Sequence, residues 1–174
     1  IEKVCPVVLS NQNGGGINVS INDKDFISKS IFVDSTFFDL FSFNLIDGDR
    51  SKVLRTNNSA VVSKSFALKA FGNTDVIGKT LKLQDSLHVT IDGIVEDFKN
   101  SSFGTCEILL PWRNVKYYNS SLAEDQMSNA GSTNAFILVH ENSDFRNKSG
   151  DILTWFKSFF WIYERDIWTK VRIE

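Results

Sequence analysis

Between Val61 and Asp97 the spacing of apolar residues changes from a helical to a strand period, and few local structures satisfy both halves. Val61-Val62 is a short β-branched run. Ser63 stands in the N-cap position ahead of Lys64-Ser65-Phe66-Ala67-Leu68-Lys69-Ala70-Phe71, and Gly72 is placed to take the left-handed conformation that ends a helix. The spacing predicts a helix of about two turns. From Thr80 the period is two: Leu81 and Leu83 alternate with Lys82 and Gln84, Asp85-Ser86 turns the chain, and Leu87, Val89 and Ile91 alternate with His88, Thr90 and Asp92. This is a hairpin with one apolar face. At Asp92-Gly93 the alternation slips, and the bulk passes to Ile94, the mark of a bulge at a glycine.

The same residues carry a family resemblance. Val61-Val62-Ser63-Lys64-Ser65-Phe66-Ala67, Phe71-Gly72, Val76-Ile77-Gly78-Lys79-Thr80 and Val89-Thr90-Ile91-Asp92-Gly93-Ile94-Val95-Glu96-Asp97 resemble the central signature of the MacB-like periplasmic core domain. Upstream, Phe32-Val33-Asp34-Ser35-Thr36-Phe37-Phe38-Asp39-Leu40-Phe41 with Gly48 resembles the preceding block. The resemblance spans roughly residues 1 to 145. It implies the extracytoplasmic domain of an FtsX-like ABC transporter permease, part of a longer protein with membrane helices flanking both ends. It also implies an ATPase subunit or domain in the cytoplasm and a second permease copy. Some members work with a periplasmic adaptor and an outer-membrane channel, others on lipoproteins or cell-wall hydrolases.

Bulk properties agree with a globular chain. Of 174 residues, 42% are apolar and 13% aromatic, enough for a sizeable core. Nineteen basic residues against 21 acidic ones are interspersed, so no basic footprint points to nucleic acid or to an anionic membrane surface. No apolar run reaches the roughly 18 to 20 residues that cross a bilayer, and Ile1-Glu2-Lys3-Val4 does not read as a signal peptide, so the chain itself is expected to be soluble. Cys5 and Cys106 show no CxxC or metal-ligand spacing. They are expected as buried free thiols, in different lobes.

Taken in order, residues 4–9 read as a strand, with Pro6 placing it at a sheet edge or the proline at its beginning. Asn11 to Gly16 is a hairpin tip. No Lys-Ser or Lys-Thr follows its glycines, so it is not a phosphate cradle. Ile17, Val19 and Ile21 alternate, and a strand from Phe26 to Val33 completes a meander. Asp34 or Ser35 caps a short helix over Thr36 to Phe41, whose phenylalanines exceed one face and must meet a second lobe or a partner. Asp47-Gly48-Asp49-Arg50 is a turn. It is not a calcium loop, since the twelfth position falls on Asn58. Phe98 to Gly104 is a loop, and Glu107 to Leu110 is a strand stopped at Pro111. Residues 113–134 are a polar connection with a turn of helix near Ser120 to Gln126. Ala135 to His140 reads as a buried strand. Ser149 or Asp151 opens an amphipathic helix with Ile152, Leu153, Phe156, Phe159, Phe160 and Tyr163 on one face, leaving Trp155 and Trp161 off it. Ile167, Thr169, Val171 and Ile173 read as a last strand.

These elements predict an α+β, two-lobed fold. A porter-like lobe of strands and helices comprises residues 1–46 plus 130–174 and is membrane-proximal in the family. A smaller mixed α/β lobe, 47–129, is inserted in it. The family topology brings Ile1 and Glu174 close together.

No catalytic, cofactor-binding or metal-binding residue is assigned. His88 sits on the polar side of a strand and His140 at a strand end, each without a ligand companion at i+2 or i+4. Ser63 and Ser65 are better explained as cap and helix surface than as nucleophiles. Cys106 lacks an identifiable base. Glu96-Asp97 and Glu124-Asp125 are adjacent carboxylates of the solvated kind, not a glycosidase pair. The sequons at Asn18, Asn57, Asn100, Asn119 and Asn147 follow from an Asn- and Ser-rich composition. The function expected is therefore non-catalytic: a periplasmic permease domain that contacts substrate or partner proteins and relays ATP-driven motion. The alternative is a free-standing extracytoplasmic ligand-binding module.

Overall fold

The computed structural model describes residues 1–10, 16–22, 24–84, 86–99, 101–120, 134–165 and 167–173. Its centre is the segment with two periods. Strand β6 (Ser59–Ser63) runs into helix α2 (Lys64–Phe71), the Ser63 hydroxyl accepts the Phe66 N–H at 3.2 Å, and Gly72 closes the helix at φ 76°. These are the expected caps. Strands β7 (Thr80–Leu83) and β8 (Leu87–Val95) form the hairpin, with Leu81, Leu83, Val89 and Ile91 buried. Against β6 the register passes from Ala60↔Ile91 to Val61↔Gly93, so Asp92 is the extra residue of a bulge. Gly93 is required there, because a Cβ would come within 3.0 to 3.2 Å of Val53, Val61 and Leu45.

The remaining strands are β1 (Lys3–Leu9), β2 (Ile17–Ile21), β3 (Lys24–Ser28), β4 (Ser30–Val33), β5 (Leu45–Gly48), β9 (Ile108–Pro111) and β10 (Asn134–Leu138). Among the described residues all ten share one sheet, in the order β10-β1-β4-β9-β6-β8-β7-β2-β3, with β5 also on β8. The β4–β9 and β6–β8 contacts are parallel; the others are antiparallel. Only Lys29 separates β3, at one end of this path, from β4, its third member. The path between them must therefore curl until its ends meet, as in a barrel.

The curl has an inside and an outside, and each holds a core. Inside lie Ile17, Val19, Phe32, Ala60, Val62, Leu81, Val89, Ile91, Ile108 and Leu110. Outside, against Ile31, Val33, Val61 and Leu109, sits a phenylalanine cluster anchored by Phe37, Phe38, Phe98 and Phe103. Strands β4, β6 and β9 are consequently buried on both faces, which is why they read as unbroken apolar runs. Phe37 begins the short helix α1 (Phe37–Leu40), and its ring lies 4.9 to 6.4 Å from those of Phe38, Phe41, Phe43, Phe98 and Phe103. The surplus phenylalanines of this helix thus meet their own chain. The Asp34 carboxylate accepts the Thr36 N–H at 3.0 Å.

Several expectations are corrected. The predicted strand over 26–33 is two strands, because the chain leaves β2 at Ser28 and joins β1 and β9 from Ser30. Strand β1 is not an edge: β10 covers it, and Pro6 lies one residue outside the β4 register, which begins at Val7. Strand β10 is itself the edge and largely exposed, with Ile137 at 38% and Leu138 at 39%, not the buried strand its composition suggests. The turn after β5 starts at Asp49. The predicted helix over 151–163 is broken into α4 (Ser149–Lys157) and α5 (Trp161–Glu164), with no buried residue on α4. Residues 167–173 form no strand; Ile167 and Trp168 are exposed, so their alternation has no sheet to serve. A short helix α3 (Val115–Tyr118), which buries Val115, stands in the connection expected to be irregular, whereas the tip at 11–15, the helical turn at 120–126, the Glu124-Asp125 pair and Glu174 lie wholly or mostly outside the described residues.

Cys5 and Cys106 are free and buried, and they belong to the same outer core instead of two lobes. Strands from 1–46 and from 47–129 share the sheet, with β9, β6, β8 and β7 lying between β4 and β2.

Candidate functional site

Between β3 and the chain that leads into β9 lies a cleft of about 840 Å³. Its walls come from three places. One is the β3–β4 junction, with Ile27 and Lys29. The second is the outer side of α2, with Ser65 and Lys69, and the third is the chain from Asp97 to Glu107. Helix α2 turns Phe66 and Ala67 to the inner core, which leaves Ser65 and Lys69 facing the cleft. The turn at 101–104, closed by the Gly104 N–H on the Ser101 carbonyl at 3.1 Å with Gly104 at φ 65°, carries the chain away from β3 just before β9 begins.

Bonds across the cleft fix its shape. Glu107 is the hub: its Oε1 accepts from Lys69 Nζ at 2.9 Å and its Oε2 from the Lys29 N–H at 3.1 Å. Lys29 Nζ donates to Thr105 Oγ1 at 3.1 Å, and Lys69 Nζ also stands 6.0 Å from the Phe26 ring centroid. Asp97 Oδ1 accepts both the Ser65 N–H, at 2.9 Å, and its hydroxyl, at 2.5 Å. The Ser65 hydrogen bond holds the Asp97 carboxyl below the usual carboxylate range, and the anion sits at the positive end of α2. The floor is apolar, formed by Phe98 and Cys106, at 5% and 4% exposure. Ile27 stands on the lip at 71%.

The lining pairs lysines with carboxylates over an apolar floor. The lining holds no histidine, and burial pushes the Cys106 thiol up, away from the reactive thiolate. Three lysines line the cleft against two carboxylates that already accept hydrogen bonds from the chain.

Of the described residues weighed from sequence, Asp97, Ser65 and Cys106 line the cleft and the others lie elsewhere. His140 Nδ1 is 2.8 Å from Glu2 Oε1 on the exposed β1–β10 edge. His88 is exposed beside Ser20, Asp25 and Lys82 in a shallow polar hollow. Glu96 Oε1 accepts the Asn44 N–H at 3.2 Å. Asp47 accepts from the Gly48 N–H and Asp49 from Ser51, with the Ser51 bonds, then Lys52, holding the Asp49 carboxyl low, so both acids serve their own turn. Ser63 is the cap it was expected to be, while Ser65 is tied to Asp97. Lys29, Lys69 and Glu107 carry no local signal, being 38 or more positions apart in pairs that meet only through the sheet.

Comparison with known proteins agrees with the fold. The family model described as the MacB-like periplasmic core domain matches residues 1–146. A domain of a permease protein from Porphyromonas gingivalis superposes with a TM-score of 0.70 at 23% identity, covering 93% of this chain and 72% of that one. The periplasmic region of MacB from Actinobacillus actinomycetemcomitans gives 0.61 at 18% over 91% and 67%. The extracellular domain of the ABC-type transporter YknZ from Gram-positive bacteria gives 0.56 at 18% over 85% and 69%. At these identities the likeness is one of fold. No curated protein matches the sequence.

Proposed function

The chain belongs to the MacB-like periplasmic core domain family, and from that premise we propose that it is the non-catalytic periplasmic part of an ABC transporter permease that contacts substrate or partner proteins and relays motion driven by a cytoplasmic ATPase. The observation that carries the contact role is the cleft between β3 and the chain that leads into β9, held by its own ion pairs, floored by apolar side chains and free of reactive groups. For the relay, the central strands are buried on both faces, so a force applied at one end of the sheet displaces it as a unit. In the assembled permease the two ends of the chain, within 1–46 and 130–174, face the membrane, although their strands and those of 47–129 share one sheet. A second permease copy completes the pair that opens and closes. Among the described residues no helix is long and apolar enough to cross a membrane, so anchoring falls to the rest of the parent protein.

The test uses the full-length permease with its ATPase in the native host. Ile27→Asp with Lys69→Glu places like charges around the cleft without touching either core. The expected result is lost transport with ATP hydrolysis retained. Wild-type transport by this variant refutes the contact role.

A further inference from the structure

The cleft has a backbone as well as side chains. Strand β3 ends the sheet and has β2 as its only strand neighbour among the described residues. The direction in which its free groups point follows from two separate hydrogen bonds. The Asn18 carbonyl accepts the Gln84 N–H at 3.0 Å, so Asn18 turns its backbone groups toward β7. Its register partner Ile27 is then the non-hydrogen-bonded member of the β2–β3 ladder and points its N–H and C=O away from β2. Two residues on, Lys29 sends its N–H to Glu107 Oε2 and its C=O to the Glu107 N–H, at 3.1 and 2.8 Å. Backbone direction repeats every second residue along a strand, so the backbones of Ile27 and Asp25 face the same side, Ile27 at the cleft and Asp25 just beyond it, next to the polar hollow of Ser20 and His88. Beside Lys29 the place of the neighbouring strand is filled by Glu107. Beside Ile27 and Asp25 it is empty among the described residues.

We propose that this opening takes an extended, acid-bearing segment of a partner protein, which adds to β3 as a further strand through the backbone of Ile27 and Asp25. Strand addition to an exposed edge is a recurrent way of binding peptides, with affinity from the main chain and selectivity from the flanking pockets. The flanks here are defined. Side chains on one face of the added strand meet Ile27, Phe98 and Cys106, all on the outer side of the sheet, and the alternate ones point away from them. Lys69 and Glu107 neutralise one another, which leaves Lys29 and Lys99 against the single carboxylate Asp97 and gives the lining a net positive charge. The proposal deepens the contact role above, but its test needs only the 174-residue chain and leaves the transport experiment unaffected.

The probe is an acetylated, amidated pentapeptide of alternating glutamate and valine, added to the isotope-labelled chain while amide hydrogen exchange is followed by NMR. At about ten times its Kd, exchange at Ile27 and Asp25 slows about tenfold, since only the unbound fraction exchanges. The same peptide N-methylated at its valines gives no slowing, and neither does Ile27→Pro, which removes one donor on an edge where proline is tolerated. A lysine-for-glutamate peptide binds more weakly. Unchanged exchange at Ile27 and Asp25 up to the solubility limit of the probe overturns the proposal. So does equal binding of the N-methylated peptide, or retained binding by Ile27→Pro with an unaltered melting curve. A lysine peptide that binds as well overturns the charge assignment. Sedimentation showing that the chain pairs with itself through this edge replaces the partner segment with a second copy.

Discussion

Phe37 is the test of the outer core. It is fully buried, and its ring touches five other phenylalanine rings at centroid distances of 4.9 to 6.4 Å. These partners come from α1, from the segment before β5 and from the loop before β9, so the cavity left by Phe37→Ala opens where elements distant in sequence meet and cannot collapse along any one of them. Truncating a buried phenylalanine costs about 3–5 kcal/mol, and the loss of five ring contacts, one edge-to-face, one stacked and three tilted, places this site at about 4. In a chain of this length that corresponds to a fall of about 8–16 °C in melting temperature. Phe37→Leu keeps most of the volume and costs about 1.5 kcal/mol or less. Trp155 is the control: it also belongs to a ring cluster, with Phe156 and Phe159, but is 62% exposed, so Trp155→Ala stays within about 0.5 kcal/mol. Urea unfolding followed by circular dichroism measures all three, with an unchanged slope expected. If Phe37→Ala and Trp155→Ala come within about 1 kcal/mol of one another, the phenylalanine cluster is not what holds this face of the sheet.

Gly48 and Gly72 both have positive φ, 102° and 76°, but a Cβ on Gly48 would lie 2.5 Å from the Asp92 carbonyl while one on Gly72 meets nothing within 4 Å. Gly72→Ala should therefore cost about 1–2 kcal/mol of backbone strain and Gly48→Ala clearly more, read from melting temperatures; equal losses would contradict the close approach of β5 to β8. Asp97, lowered chiefly by the Ser65 bond, stabilises the fold above its unfolded pKa and loses that contribution as pH falls through the lower folded value, so the melting temperature of Asp97→Asn should converge on that of the wild type in acid. Asp92 has the opposite sign: burial raises its pKa against the Ser59 hydrogen bond, so its contribution is complete at low pH and declines as pH rises past the ordinary carboxylate range, and Asp92→Asn should flatten that decline. Cys5 and Cys106, both raised by burial, should react with a thiol reagent only as fast as the fold opens, and prompt labelling of the native chain would contradict their placement in the core.

What could be read from the sequence was local. The cap at Ser63, the stop at Gly72, the β7–β8 alternation and the slip at Asp92-Gly93 depend on hydrogen bonds and side-chain periods spanning a few residues, and the family signature sits on those same positions. The composition announced a large aromatic core but not its arrangement. A period of two says that a segment is extended; it does not say which strand lies beside it. Ala135 to Leu138 and Val61-Val62 look equally apolar, yet one is an exposed edge and the other is covered on both faces. Ile167 to Ile173 alternates as well as β2 does, yet forms no strand.

The sequence alone determined the β6–α2 junction, where α2 starts and stops, and the β7–β8 hairpin with its bulge. The tertiary structure decided the strand order, the split at Lys29 that forces the sheet to curl, and the cleft between β3 and the chain that leads into β9. The reason is range. Lys29, Lys69 and Glu107 become neighbours because three strands and a helix bring them together, and β3 is left with β2 as its one strand neighbour among the described residues. Such proximity is a property of pairings between distant segments, which no local pattern of residues encodes.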